Sequence, residues 1–136
     1  MKNSTLTLVI GDLVVILFIV WLGRLSHVVS IWNVGQWLYT AFPFIVAWVV
    51  ILPWLGIYQA ENYQNWRRLL PRLLLGWGLI GLPLALMTRS FMLGRPIIDG
   101  IKPTFAAVMF ITTMLAIIGW RFVHQRRSLP SRPTSA

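Results

Sequence analysis

The stretch TLTLVIGDLVVILFIVWLGRLSHVV, residues 5–29, is long and apolar enough to determine the fold class. A helix needs about 20 mostly apolar residues to cross the hydrocarbon core of a bilayer. The stretch exceeds the apolar region of a signal peptide, contains Asp12, and is followed by no small-residue cleavage site. We therefore expect it to remain in the protein as a membrane-spanning helix.

Three further apolar runs, at residues 38–58, 73–93 and 104–123, are also long enough to span a bilayer. Short connections favour antiparallel packing of neighbouring helices. The prediction is an all-α, polytopic membrane protein, a four-transmembrane-helix up-down bundle that forms one domain over residues 1–127. Residues 128–136 are polar and contain proline, so we expect a disordered tail.

The composition supports a surface that faces lipid. Hydrophobic residues make up 57% of the 136 residues and charged residues only 11%, against about 45–50% and about 25% in soluble domains. The mean hydropathy is +0.73. Eight tryptophans lie mostly near the ends of the apolar runs, a pattern typical of the aromatic belts at membrane interfaces. The absence of cysteine excludes disulfides, thiolate metal sites and iron–sulfur clusters.

The formal net charge is +9. The distribution of the cations along the chain predicts how the protein is oriented in the membrane, and it does not indicate nucleic-acid binding. The cations lie at the ends of apolar runs, where they contact anionic lipid headgroups, and no nucleic-acid-binding motif is present. Because lysine and arginine are enriched in cytoplasmic loops, both termini are expected in the cytoplasm. That side would carry Lys2, Arg67, Arg68, Arg72, Arg121, Arg126, Arg127 and Arg132, and the other side Arg24, Arg89, Arg95 and Lys102.

Asp12 lies about 10 Å along the first helix from Thr5, where an acid is costly unless it faces the bundle and has a partner. A functional interpretation makes it a buried counter-charge or a proton carrier. Two structural interpretations remain open. The helix could begin later, so that the macrodipole favours an acid near its start, or Asp12 could belong to a structural ion pair.

Arg24 and His27 lie one turn apart at the end of the first run and share a helix face. One interpretation is that both reach the outer headgroups and complement the negative end of the helix dipole. The other joins them to Arg89 and Arg95 in a basic pocket for an anion, near Asp99 and Lys102 on the same predicted side. Arginine suits bidentate recognition of carboxylate or phosphate.

Small residues and prolines in the second and third spans predict close packing and bends. Gly81 and Ala85 have the small-x-x-x-small spacing that permits close helix approach. Pro83 removes a backbone hydrogen bond and should kink the third span, and Pro43 and Pro53 should bend or delimit the second.

No pattern indicates catalysis, and we expect neither an enzyme nor a cofactor. The metalloprotease, nucleophile-elbow and phosphate-loop motifs are absent, and no acid lies near either histidine in the sequence. A pigment or haem bound by His27 is the one cofactor left open, and the isolation of this histidine disfavours it.

The chain resembles an uncharacterised family of small prokaryotic four-helix integral membrane proteins, a domain of unknown function of the DUF3054 type. The resemblance covers nearly the whole chain and implies the cytoplasmic (inner) membrane, without an established activity. It also implies that Asp12, Arg24, His27 and Arg89 are characteristic positions. The motifs that carry it are Gly11-Asp12, Gly23-Arg24-x-Ser26-His27, Thr40-Ala41-Phe42-Pro43-Phe44, Arg89, Gly94-Arg95, Phe105 and Gly119-Trp120-Arg121.

Two functional hypotheses follow. In the first, the protein binds or transports an anionic or lipid-like molecule through a basic pocket near the outer leaflet, with Arg24, His27, Arg89 and Arg95 as contacts. Four helices are few for a solitary carrier, so this hypothesis includes a homo-oligomer. In the second, the protein is an accessory or structural subunit of a larger respiratory or photosynthetic membrane complex, and its helix faces pack on partner subunits.

Overall fold

The computed structural model describes residues 2–27 and 32–128, which form helices and no β-strand. Four candidate membrane spans cover Ser4–Ser26, Val34–Trp54, Trp66–Met92 and Pro103–Ser128. The fold class predicted from the sequence is therefore confirmed: the protein is all-helical, with four helices long and apolar enough to cross a membrane. Of the predicted tail, residues 128–136, Ser128 belongs to the last helix, and residues 129–136 lie outside the described part of the chain.

Within the described residues, the bundle consists of seven α-helices and one π-helical segment. Helix α1 packs against α2 and α7, and α2 also packs against α5 and the π segment. The elements are α1 (Lys2–Ser26), α2 (Val34–Trp54), α3 (Ala60–Tyr63), α4 (Trp66–Leu75), the π segment (Gly76–Gly81), α5 (Leu82–Met92), α6 (Ile97–Gly100) and α7 (Pro103–Ser128).

Asparagine caps place two helix starts away from the predicted span limits. The Asn33 side chain accepts a hydrogen bond from Gln36 N at 3.0 Å, and α2 begins directly after it. The Asn65 side chain caps α4 in the same way at 3.0 Å, so the third span begins at Trp66 and not at residue 73. An oxygen acceptor at this position satisfies a backbone N–H that the helix leaves without a partner. The second span ends at Trp54, before the turn at Gly56 with its φ of 68°.

The third span is continuous from α4 through the π segment into α5. Pro83 follows this segment by two residues, and the N–H of Leu82 reaches back to the carbonyl of Trp77, one residue further than in an α-helix. π turns are rare and occur mostly as single turns inside α-helices, as here. Pro43 lies inside α2, which continues through it, and Pro53 lies one residue before the end of that helix.

A tryptophan pair lies at the centre of the bundle, while long apolar side chains cover its outside. Trp48 and Trp77 are fully buried and meet edge to face, with ring centroids 5.0 Å apart. Leu79 and Leu115, on the third and fourth spans, are 71% and 68% exposed. Apolar residues of this size at such exposure suit a surface in contact with lipid.

The two ends of the bundle differ. One end carries the starts of α1 and α4 and the end of α7, since the Ser4 hydroxyl lies 3.2 Å from that of Tyr63 and the Gln125 amide donates to the Tyr63 carbonyl. We call it the terminal end. The opposite end carries Arg24 and the connection between α5 and α7, and we call it the loop end.

Candidate functional site

A buried ion pair joins the first and last spans near the terminal end. Asp12 is 0% exposed and Arg121 is 1% exposed. Arg121 donates twice to the carboxylate, from Nη2 to Oδ2 at 2.5 Å and from Nε to Oδ1 at 3.3 Å. Its Nη1 donates to the carbonyl of Ile57 at 3.2 Å, which also connects the pair to the segment after α2. The buried guanidinium is thus held by two elements in addition to its own helix.

Two aromatic side chains extend this network. The Tyr58 hydroxyl donates to Asp12 Oδ2 at 2.9 Å and accepts from the Trp48 indole nitrogen at 2.9 Å. The Tyr58 ring also faces Arg121, whose Cζ lies 5.2 Å from the ring centroid. Tyr58 lies outside the four spans, and burial together with the neighbouring Asp12 carboxylate raises the pKa of its phenol well above the ordinary range. The hydroxyl therefore keeps its proton and remains a donor to Asp12.

A close backbone contact sets the register of this ion pair. Gly11 and Trp120 precede Asp12 and Arg121 in the chain, and a Cβ placed on Gly11 would overlap the indole ring of Trp120. The absence of a side chain at position 11 thus lets the indole lie against α1. Gly11 and Asp12 of α1 thus contact Trp120 and Arg121 of α7, so this close approach lies directly beside the ion pair.

The sequence singled out Asp12 as a candidate site residue, whereas Arg121 appeared only among the cytoplasmic-side cations and in the Gly119-Trp120-Arg121 motif. The signal available was that each is a charged residue inside an apolar span, at a similar distance from the terminal end. Charged residues in spans usually face the bundle interior and pair with one another. Tyr58 and Trp48 gave no comparable signal. A lone tyrosine near a span end is typical of an aromatic belt, and Trp48 lies inside an apolar run.

Replacing Tyr58 by phenylalanine should lower the free energy of unfolding by about 1.5–3 kcal/mol, because the change removes a hydrogen bond to a buried charged group. Unfolding of the purified protein in detergent, followed by tryptophan fluorescence, measures this loss. Tyr39→Phe is the matched control. The Tyr39 hydroxyl is exposed and donates to the Met92 carbonyl at 2.8 Å, so its removal should lower the free energy of unfolding by about 0.5 kcal/mol or less. Equal losses in both variants would contradict a special role for Tyr58.

Arg24 lies at the loop end and is largely buried between α1 and α2, with only 8% exposure. Its Nη2 lies 3.3 Å from Gln36 Oε1 and its Nη1 lies 3.4 Å from Thr40 Oγ1, and both oxygens accept a hydrogen bond. Thr40 in turn donates to the Gln36 carbonyl at 2.8 Å. Both acceptors are neutral oxygen atoms, and they fix the orientation of the guanidinium.

The other loop-end residues singled out from the sequence lie on several elements. His27 is exposed directly after α1. Arg89, on α5, is half-buried with its Cζ 5.4 Å from the ring centroid of Phe105 on α7, and the charge of Arg95 is close enough to act on it. Arg24 thus contacts residues of α2, and Arg89 contacts Phe105 of α7. Asp99 is exposed and forms no ion pair with a described cation.

The residues expected to serve packing lie in the third span. Ala85 is fully buried, and a Cβ on Gly81 would lie 2.6 Å from the indole of Trp77. The contact seen for Gly81 is therefore with the central tryptophan of its own span. Gly78 faces α7 more directly, since a Cβ there would lie 2.9 Å from the ring of Phe110.

Metal ligands do not gather in the part of the chain that the structure describes. Over residues 2–27 and 32–128, no three histidine, cysteine or acidic side chains come close enough to share an ion. His27 and His124 lie at opposite ends of the bundle, and His124 packs near the Trp120 ring, with centroids 5.5 Å apart.

Comparison with known proteins identifies a family. A family model described as a protein of unknown function (DUF3054) matches residues 9–124, which includes all four spans in whole or in large part. Searches of curated proteins and of solved structures found no match.

Proposed function

The chain belongs to the DUF3054 family, whose description assigns no activity, and we propose that it is a membrane protein that binds an anionic molecule at the loop end. The burial of Arg24 is the observation that carries this proposal. An arginine at the end of a span can extend into the headgroups at little cost. This one instead lies between α1 and α2, where the Gln36 and Thr40 oxygens fix its orientation.

The positive charges of the loop end support an anionic ligand. Arg89, Arg95 and Lys102 belong to the same end of the bundle, and the one acid there, Asp99, is exposed. Cations grouped at a low-dielectric surface raise the local concentration of anions. The fork of an arginine also matches the geometry of a phosphate or carboxylate. In this proposal Arg24 and Arg89 contact the anion, and His27 and Arg95 lie at the rim.

The proposal includes an orientation. With both termini in the cytoplasm, as the excess of lysine and arginine at the terminal end favours, the anion would be bound at the outer leaflet of the cytoplasmic membrane. Transport of the ligand, as distinct from binding, would require a second copy of the chain, because the centre of a single bundle is filled by Trp48 and Trp77.

Replacing Arg24 by glutamine should remove the stabilisation of the protein by small anions. We expect inorganic phosphate or succinate, at about ten times its dissociation constant, to stabilise the parent protein by ~1.4 kcal/mol, a rise in melting temperature of roughly 4 °C. The rise should disappear in Arg24→Gln and be partly kept in Arg24→Lys, which retains the charge. The measurement is thermal unfolding in neutral detergent, with sodium chloride at matched ionic strength as the reference.

Arg127→Gln is the matched control, because Arg127 is an exposed arginine at the terminal end. It should leave the anion-dependent rise intact. An unchanged rise in Arg24→Gln would contradict the proposal.

Native mass spectrometry after gentle extraction from native membranes tests the subunit alternative: polypeptides retained in a fixed ratio would favour it, whereas a homo-oligomer with a retained anion would favour ligand binding.

A further inference from the structure

A groove of about 280 Å³ opens on the outside of the third span, at the terminal end and away from Arg24. It lies where the connection after α2 meets the junction of α4 and the π segment. Its walls are apolar except for one arginine, and Leu79, 71% exposed, shows that it opens at the outer surface of the span. The residues that form it include Leu55, Arg72, Leu75, Gly76, Leu79 and Ile80.

The backbone accounts for the shape of this groove. The π segment begins at Gly76, and a Cβ there would overlap the side chain of Leu55. Leu55 therefore lies against the bare backbone of the third span. Arg72 Nη1 donates to the Leu55 carbonyl at 2.7 Å, which holds the guanidinium beside the groove.

Arg72, which lines the groove, belongs to a concentration of positive charge on α4. Arg68 and Arg72 are exposed and lie four residues apart on α4, so they share one face of the helix. Like charges at this spacing repel each other. Residues 66–72 contain three arginines and no acid. An anion bound between Arg68 and Arg72 would relieve this repulsion, and phosphate suits the geometry of arginine.

Arg68 and Arg72 come before the apolar part of the groove along the third span, which is the order of headgroup and acyl chain in a phospholipid. Arg72 lies six residues after Trp66, the first residue of the span, or about 9 Å at 1.5 Å per residue. Ile80 lies about 12 Å further along the span by the same measure. A phosphate at the arginines would thus place an acyl chain against Leu75, Leu79 and Ile80.

We propose that this groove binds one anionic phospholipid, with its phosphate on Arg68 and Arg72 and one acyl chain along the π segment. The site is separate from the one proposed at Arg24, and it requires an acyl chain as well as a charge. A soluble phosphate therefore does not replace the lipid.

Native mass spectrometry of the full chain in neutral detergent tests this site with dioleoyl phosphatidylglycerol and dioleoyl phosphatidylcholine. The parent protein should retain one phosphatidylglycerol in preference to phosphatidylcholine. Arg72→Gln should weaken that binding about tenfold or more, because it removes a charge-assisted contact with the phosphate. Leu79→Trp should do the same by filling the groove, and it leaves the charge unchanged.

Each variant has a matched control. Arg127→Gln removes an exposed terminal-end arginine that lies outside the groove, and Leu115→Trp places the same bulky ring on a lipid-facing position of α7. Both controls should bind phosphatidylglycerol like the parent. Equal weakening in Arg127→Gln, equal retention of the two lipids, or competition by glycerol phosphate alone would overturn the proposal. Loss of the lipid in Arg24→Gln but not in Arg72→Gln would overturn it as well and support the loop-end site instead.

Discussion

Replacing Arg121 by methionine is expected to lower the free energy of unfolding by about 3–5 kcal/mol, because it leaves the Asp12 carboxylate buried without its partner. Asp12→Ala should cost a similar amount, since the guanidinium of Arg121 would then be buried without a counter-charge. The double variant should cost clearly less than the sum of the two single losses. Equilibrium unfolding in mixed detergent micelles, followed by tryptophan fluorescence, measures all three.

The controls for this ion pair are two charged residues without a buried partner. Asp99 is exposed in the loop-end connection, and Arg127 is exposed on the same helix as Arg121. Asp99→Asn and Arg127→Met should each change the free energy of unfolding by about 0.5 kcal/mol or less. Fully additive losses in the double variant would show that Asp12 and Arg121 do not stabilise each other, contrary to the geometry.

Replacing Gly11 by alanine should lower the free energy of unfolding by about 1–3 kcal/mol, which is the second large effect that we expect. The added Cβ would overlap the Trp120 indole, and a rigid ring cannot yield as a flexible side chain does. Gly23→Ala is the matched control on the same helix, because a Cβ there meets nothing within 4 Å. That change should be neutral or slightly stabilising, since alanine favours a helix over glycine.

A second substitution distinguishes steric overlap from a general effect of the Gly11 change. Trp120→Leu leaves room beside α1, so the loss caused by Gly11→Ala should become smaller when both changes are present. The same unfolding measurement, arranged as a double-mutant cycle, gives the interaction energy. If Gly11→Ala cost the same with leucine at position 120 as with tryptophan, the overlap would not be its cause.

The limits of the spans show where reasoning from hydropathy succeeded and where it did not. The existence of all four spans followed from runs of about 20 apolar residues. The start of the third did not, because Trp66–Leu75 is amphipathic and its arginines exclude it from an apolar run. Its beginning is determined by the Asn65 cap, a local hydrogen bond that a hydropathy average does not contain.

Some of the polar residues at the two ends of the bundle could be recognised from the sequence, and others could not. Asp12 and Arg24 stood out in the sequence because a charge within an apolar span needs an explanation. Their neighbours did not: Gln36 and Thr40 are ordinary residues near the start of α2, and Tyr58 belongs to a short connection. Contacts between spans depend on how each helix is rotated about its axis. That rotation is an outcome of packing, and hydropathy does not report it.

The sequence by itself determined the helical class, the number of spans and the antiparallel order, because these depend on local composition and short connections. Only the tertiary structure decided that Asp12 pairs with Arg121, a residue 109 positions away. The physical reason is that the Gly11 contact with Trp120 fixes the rotation of α1 against α7, and that rotation brings the two charges together. The groove at Arg72 likewise exists only where Leu55 packs against Gly76.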